Sequence, residues 1–381
     1  MADQYISTTV DSEITRYYLE QYLQNKGTNP QYDQKINEAL QVWDERPLDT
    51  DNLKRVTTQF SPDFATLYFV SRIYINPENR IAQQAFHSHV MALRTQRVTE
   101  IFHIDEKFTS YLIVFVPGYA YKRDPITGAD FALQRRVMGQ AGLETLLVKT
   151  DEIGTIEKNA SILVNELTRL EKSHDKIILV STSKAGPEVA LAIGKLMTAE
   201  QLTHVKAWIS IGGLLRGSLI ADQALKWPKS WFAAIGFFFK GLSTDVIGDL
   251  STQKRREIFA HLHFPEHILL IQYVGVPLSG DIGEHVEGRY KDLREHGPND
   301  GLTLVADELI EGSIVITDVG LDHYYLDREI DLKTLAVARV IFDELERREK
   351  GKKSDHSQGG RPGPKSKKTP LVAVTGGTWR G

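Results

Sequence analysis

The sequence predicts an α/β domain, a mostly parallel sheet with helices on both faces, preceded by a helical extension. Three observations predict it. From residue 108 onward, short runs rich in Val, Ile and Leu alternate with helix-length amphipathic stretches. Parallel strands need a helix-sized connection between them, so this alternation is what such a sheet requires. The runs are apolar almost throughout rather than at every second residue, which places both sheet faces in the interior.

Residues 1–107 read as helix after helix. Asp11-Ser12 forms a capping signal before Ile14, Tyr18 and Tyr22 at i, i+4, i+8, and Ile36, Leu40 and Trp43 repeat that spacing. Ser61-Pro62-Asp63 opens a further stretch, with proline where its missing N–H does no harm. Asn76-Pro77 breaks it, and 81–93 reads as another helix. No chemistry-bearing motif stands out here. The expected role is an extension packed on the rest.

Residues 108–349 form the α/β unit. Expected strands are 111–117 (YLIVFVP), 144–150, 176–181 (KIILVS), 205–211, 267–274 and 312–318, with helices at 159–170, 188–197 and 332–345. A long connection at about 214–264 holds Trp227, Trp231, Phe232 and Phe237-Phe238-Phe239. Residues 350–381 carry eight Lys or Arg against one acid, with many Gly, and read as a disordered basic tail that cannot bury enough apolar surface to fold.

Composition excludes several classes. The chain has 381 residues, 41% hydrophobic, with 46 basic and 50 acidic side chains and a net charge of −4, which argues against a body built to neutralise nucleic-acid phosphates. With no cysteine there is no disulfide, no thiolate nucleophile and no Cys-based metal site. The first residues carry no basic segment followed by an apolar one, so a cytoplasmic location is expected. The longest apolar run, WFAAIGFFF, is far short of the roughly 20 residues a bilayer span needs. His261-x-His263 with His267, and His87-x-His89, lack an acid at matching spacing and read as scattered histidines, so no metal is expected. Gly212-Gly213 and Gly275 make no nucleotide-binding pattern, and no cofactor is expected.

The informative segment is Ser181-Thr182-Ser183-Lys184-Ala185-Gly186, directly after an apolar strand and directly before a helix. A strand that turns sharply into a helix holds its corner residue in strained backbone and needs small neighbours on both sides. Ser181, Ala185 and Gly186 are small, and the corner is Ser183. Its hydroxyl would stand at the carboxyl edge of the sheet, where the Lys184 N–H and a helix N-terminus face developing negative charge. A hydroxyl needs a base to take its proton, and the base needs a carboxylate to fix its tautomer. Asp300, in Gly-Pro-Asn-Asp-Gly-Leu, and His323, in Leu-Asp-His, follow in the order Ser, acid, His. Asp281 is a rival acid. Asp322 adjoins the histidine and cannot easily orient its neighbour's ring.

The elbow resembles that of the α/β-hydrolase superfamily, whose usual pattern is Gly-x-Ser-x-Gly, with Ser181 and Ala185 in the glycine places. The Asn-Asp-Gly-Leu turn, the strand after it and the later histidine resemble the bacterial triacylglycerol lipase and esterase branch, as does Leu250-Ser251-Thr252 opening a helix. Phe115-Val116-Pro117-Gly118-Tyr119 occupies the place of their oxyanion loop, so the resemblance implies a Tyr119 backbone donor beside that of Lys184. Tyr325 stands where secreted members carry a calcium-binding Asp, so no calcium site is implied. The resemblance covers roughly residues 108–349 and implies a serine hydrolase acting on a hydrophobic ester or thioester. The aromatic insertion would then be a cap, with Trp231, Phe232, Phe237 and Phe238 lining an acyl pocket. Two other readings stand: a catalytically inactive binding or scaffolding protein of this fold, and a lipase whose 231–242 stretch makes a peripheral membrane contact. Oligomeric state is left open.

Overall fold

The computed structural model describes residues 8–96, 104–123, 127–226 and 244–358, with side chains as far as Gly351. Among the described residues five α-helices come first: α1 (Glu13–Glu20), α2 (Pro30–Trp43), α3 (Thr50–Gln59), α4 (Pro62–Ile73) and α5 (Pro77–Thr95). Their starts follow from local chemistry. Ser12, Asn29, Asp49, Ser61 and Asn76 each accept a hydrogen bond from a backbone N–H of the first turn, and α2, α4 and α5 each have Pro among their first helical positions.

Six strands then form one parallel sheet. They are β1 (Leu112–Val116), β2 (Glu144–Leu147), β3 (Ile177–Thr182), β4 (Val205–Ile211), β5 (Leu269–Val276) and β6 (Ile314–Val319). Their spatial order is β2-β1-β3-β4-β5-β6. The order reverses between β1 and β3. Ligands of open α/β sheets bind beyond the carboxyl ends of the strands at such a reversal. The later helices are α6 (Ala132–Gln140), α7 (Ile156–Leu170), α8 (Ala185–Leu191), α9 (Leu219–Lys226), α10 (Thr244–Asp249), α11 (Thr252–Phe259), α12 (Glu287–Leu293) and α13 (Ile330–Gln358).

Register sorts the strand residues onto two faces. Val114, Leu179, Trp208 and Leu270 align across the sheet in one row, and Phe115, Val180, Ile209 and Ile271 in the next, pointing the other way. The first face packs on α7, α8 and α9. In α7, Ile156, Ala160, Leu163, Leu167 and Leu170 recur at four- and three-residue steps and are all buried, so one helix stripe meets the sheet. Each large member of that stripe contributes about 1.5–3 kcal/mol by leaving water. The second face packs on α5, α6 and α13, through Phe86, Val137, Leu335 and Phe342 among others.

The N-terminal helices wrap the β6 edge. Tyr18, Ile36, Phe64 and Leu67 share a core with Val274 and Val276 of β5 and Val315 of β6. On the other side, α5 satisfies the outer backbone of the edge strand with side-chain amides. Val315 N–H donates to Asn79 Oδ1 at 2.8 Å, Thr317 N–H donates to Gln83 Oε1 at 2.9 Å, and Gln83 Nε2 donates to Thr317 O at 3.0 Å. An unpaired sheet edge is a template for aggregation, and these two side chains close it.

One expectation differs from what is seen. Helix α13 runs to Gln358, past residue 350 where the basic tail was expected to begin. Lys350 pairs with Glu346 one turn back, and basic residues are favourable at a helix carboxyl end. Of the 214–264 insertion, the described flanks pack into the core of the first sheet face through Ile220, Ala224, Ile247 and Leu250. Trp231, Phe232, Phe237 and Phe238 lie outside the described residues, as does the 231–242 stretch read as a membrane contact.

Candidate active site

Ser183 follows β3 directly and has φ of +54°, the left-handed region that a non-glycine residue occupies only under constraint. Its backbone is held on both sides: Ser183 N–H donates to Ile211 O at 3.1 Å, and its carbonyl accepts from Gly186 N–H and Leu214 N–H at 3.0 and 3.2 Å. Gly186 has to be glycine, because a Cβ there would stand 2.9 Å from Gly213 Cα. Ser181, in the place where this elbow usually carries glycine, has a structural task. Its hydroxyl accepts the buried indole N–H of Trp208 at 2.9 Å, a donor that would otherwise lack a partner.

The structure brings Ser183, His323 and Asp300 together. Ser183 Oγ lies 2.9 Å from His323 Nε2, and His323 Nδ1 lies 2.5 Å from Asp300 Oδ2. These partners fix the tautomer. With the proton on Nδ1 the ring donates to the carboxylate and accepts from the serine hydroxyl. Asp300 is fully buried, and its other oxygen accepts the N–H groups of Leu302 and Thr303, both at 2.8 Å. The Asn-Asp-Gly-Leu turn thus aims one carboxylate oxygen and anchors the other. A main-chain bond from His323 N–H to Asp300 O at 2.9 Å ties the two loops together.

The other acids are occupied elsewhere. Asp281 accepts from the Thr8 hydroxyl at 2.8 Å, and burial pushes its carboxyl up. Asp322 accepts the N–H groups of Gly283 and Tyr324, each at 3.0 Å. Tyr119 borders the same cavity as Ser183, in a loop held by Gly118 N–H to Ala129 O at 3.0 Å and by Ala120 N–H to Glu152 O at 3.2 Å. Lys184 follows Ser183 at the start of α8.

Glu188 and Asn159 escaped the sequence reading, as did the side-chain roles of Lys184 and Tyr325. The Lys184 side chain turns inward and pairs with Glu188, both buried, while Asn159 Nδ2 donates to the same Glu188 oxygen at 2.8 Å. Burial pushes the Glu188 carboxyl up, and Lys184 opposes that rise. This pair roots the elbow in α7 and α8. The i, i+4 spacing of Lys184 and Glu188 was its only trace in the sequence. Tyr325 also acts structurally, since its hydroxyl accepts from Gly275 N–H at 2.8 Å and donates to Tyr273 O at 2.9 Å, fastening the loop that carries His323 to β5.

A cavity of about 640 Å³ opens beside Ser183 and His323. Among the described residues no group of three or more His, Cys, Asp or Glu could hold a metal ion, and no helix is long and apolar enough to cross a membrane. His89 pairs with Asp343 at 2.7 Å, and His267 Nε2 contacts Leu202 O at 3.0 Å.

Comparison with known proteins gives the fold. No protein-family model matches the chain, and no curated protein matches it. Among solved structures, a metagenomic carboxyl esterase superposes with a TM-score of 0.51 at 18% identity, over 64% of this chain and 77% of its own. The mature form of a Bacillus licheniformis lipase superposes with a TM-score of 0.50 at 19% identity, over 64% of this chain and 94% of its own. The chain has the α/β-hydrolase fold.

Proposed function

We propose that the protein is a serine hydrolase that cleaves hydrophobic carboxylic esters through an acyl-enzyme on Ser183. The observation that carries this is the unbroken relay from Ser183 Oγ through His323 to Asp300, set at the mouth of a largely apolar cavity. The fold is compatible with many reactions, so the argument rests on the site.

In this reading Ser183 Oγ attacks the ester carbonyl while His323 Nε2 takes its proton. The carbonyl oxygen becomes an oxyanion, held by the backbone N–H groups of Tyr119 and Lys184. Collapse breaks the carbon–oxygen bond to the alcohol, and His323 returns the proton to that leaving oxygen. Water then repeats the sequence on the acyl-enzyme and releases the acid. Asp300 stays ionised throughout and stabilises the imidazolium. A purely scaffolding protein would need neither the strained serine nor the aimed carboxylate. Release of nitrophenol from p-nitrophenyl butyrate tests the reading. Ser183→Ala should reduce it to the uncatalysed background with the fold intact, and turnover at the wild-type rate would overturn it.

A further inference from the structure

The cavity does not stop at the sheet edge. Its walls include Phe115, Val180, Ile209 and Tyr273, one residue from each of β1, β3, β4 and β5 and all on the second face of the sheet. Phe115, Val180 and Ile209 form one register row, a full pleat repeat inside Thr182, the last residue before Ser183. Opposite them, α13 presents Ile330, Thr334, Val337 and Ile341, at steps of four, three and four residues, which is a single helix face. Met138 of α6 closes one side. The space is therefore a hollow between two layers of the fold, entered beside Ser183. Protein interiors are close-packed, and voids larger than a water molecule are few, so a hollow of this size is not a packing defect.

We propose that this hollow holds the acyl chain of the ester and measures its length, with Val337 and Ile341 at the limiting end. The proposal rests on the ester-hydrolase reading above and adds where the chain lies and how long it is. The span from Ile330 to Ile341 is about 16 Å at ~1.5 Å per helical residue. Four strands at ~4.8 Å spacing give a width of about 14 Å. An extended hydrocarbon advances roughly 1.25 Å per carbon, given a ~1.5 Å carbon–carbon bond and tetrahedral angles. The chain that fits is thus linear, with about a dozen carbons.

The charged groups on the walls do not ask for a charged ligand. Lys333 is already paired with Asp318 at 2.6 Å and with Asp327, and the Tyr273 hydroxyl donates to the same Asp318 oxygen. Arg123, at the mouth, is paired with Glu152 at 3.1 Å. What remains for a ligand is a lining that is mostly apolar, with the neutral side chains of Thr127, Gln134 and Thr334 among it and the nucleophile at its entrance.

The test is kcat/KM on p-nitrophenyl acetate, butyrate, octanoate, dodecanoate and palmitate, for wild type, Val337→Phe, Ile341→Phe and Val337→Ala. Wild type should peak near dodecanoate. Filling the far end with Phe should lower the dodecanoate-to-acetate ratio by about fourfold for each methylene denied burial. Val337→Ala, which only removes atoms, should raise palmitate relative to dodecanoate and decides the matter if a Phe variant fails to fold. An identical chain-length profile in wild type and the folded variants would overturn the acyl hollow while leaving the hydrolase reading standing. Absence of cleavage of every ester, with Ser183 unlabelled by a fluorophosphonate, would overturn both.

Discussion

On one face of the sheet, Leu179 and Trp208 are enclosed by α7 and α8 and show no exposed surface. On the other, Phe115 and Ile209 are each only 1% exposed, yet they border a cavity of about 640 Å³. Burial alone therefore does not separate a core residue from a pocket residue. The difference lies in the covering helices. On the first face a stripe of Ile and Leu from α7 meets the strands, whereas on the second face residues of the strands, α6 and α13 also border the cavity beside Ser183. A packed face and a hollowed face come from the same pattern of apolar side chains.

The largest effect expected is on chemistry at the hollow face. His323→Ala should lower kcat by roughly 10⁴-fold or more with little change in melting temperature, because Ser183 loses its base while the packed face is untouched. Next is the packed face itself. Leu179→Ala should cost about 3–5 kcal/mol in denaturant unfolding, since the helices cannot collapse into the space. Ile209→Ala, one residue along from Trp208 but facing the hollow, should cost about 2 kcal/mol, because one side of the chain has fewer packing partners to lose. Equal losses at the two positions would break the comparison.

Closing the sheet edge should matter comparably. Gln83→Leu leaves the buried N–H and carbonyl of Thr317 without partners and should cost about 2–4 kcal/mol, read by the same unfolding curves. The last effect is a pH dependence in the N-terminal helices. Burial, with Asp11 nearby, pushes the Asp63 carboxyl up to about 6. The folded protein then keeps this proton at pH values where the unfolded chain, at about 3.9, has released it. Stability from this group is full below about pH 4 and declines as pH rises through about 6, by about 3 kcal/mol at most. Asp63→Asn should remove that part of the decline, and an unchanged slope between pH 4 and about 7 would contradict it.

The sheet was legible in the sequence because five largely buried strands leave near-continuous apolar runs, while the edge strand β2 is only half-buried, and the helix starts because Ser12, Ser61 and Asn76 carry their capping chemistry locally. The positions of Ser183, Asp300 and His323 were also legible, since chain order in this fold dictates which loops share an edge. The hollow was not. Ile330, Thr334, Val337 and Ile341 have the spacing of any core-facing helix, so a stripe that packs and a stripe that lines a void look alike in sequence. The cap expected from the aromatics of the 227–239 stretch is neither supported nor opposed, because those residues lie outside the described ones. Asn79 and Gln83 gave no signal at all, because their partners on β6 lie more than 230 positions away.

The central claim is that Ser183 is an activated nucleophile at the entrance of the hollow. Labelling with a fluorophosphonate, followed by peptide mapping in wild type and Ser183→Ala, tests it most directly. The account predicts one adduct, on the peptide holding Ser183, and none in the variant. A folded wild-type protein that takes no label, or one labelled equally after Ser183→Ala, would contradict it.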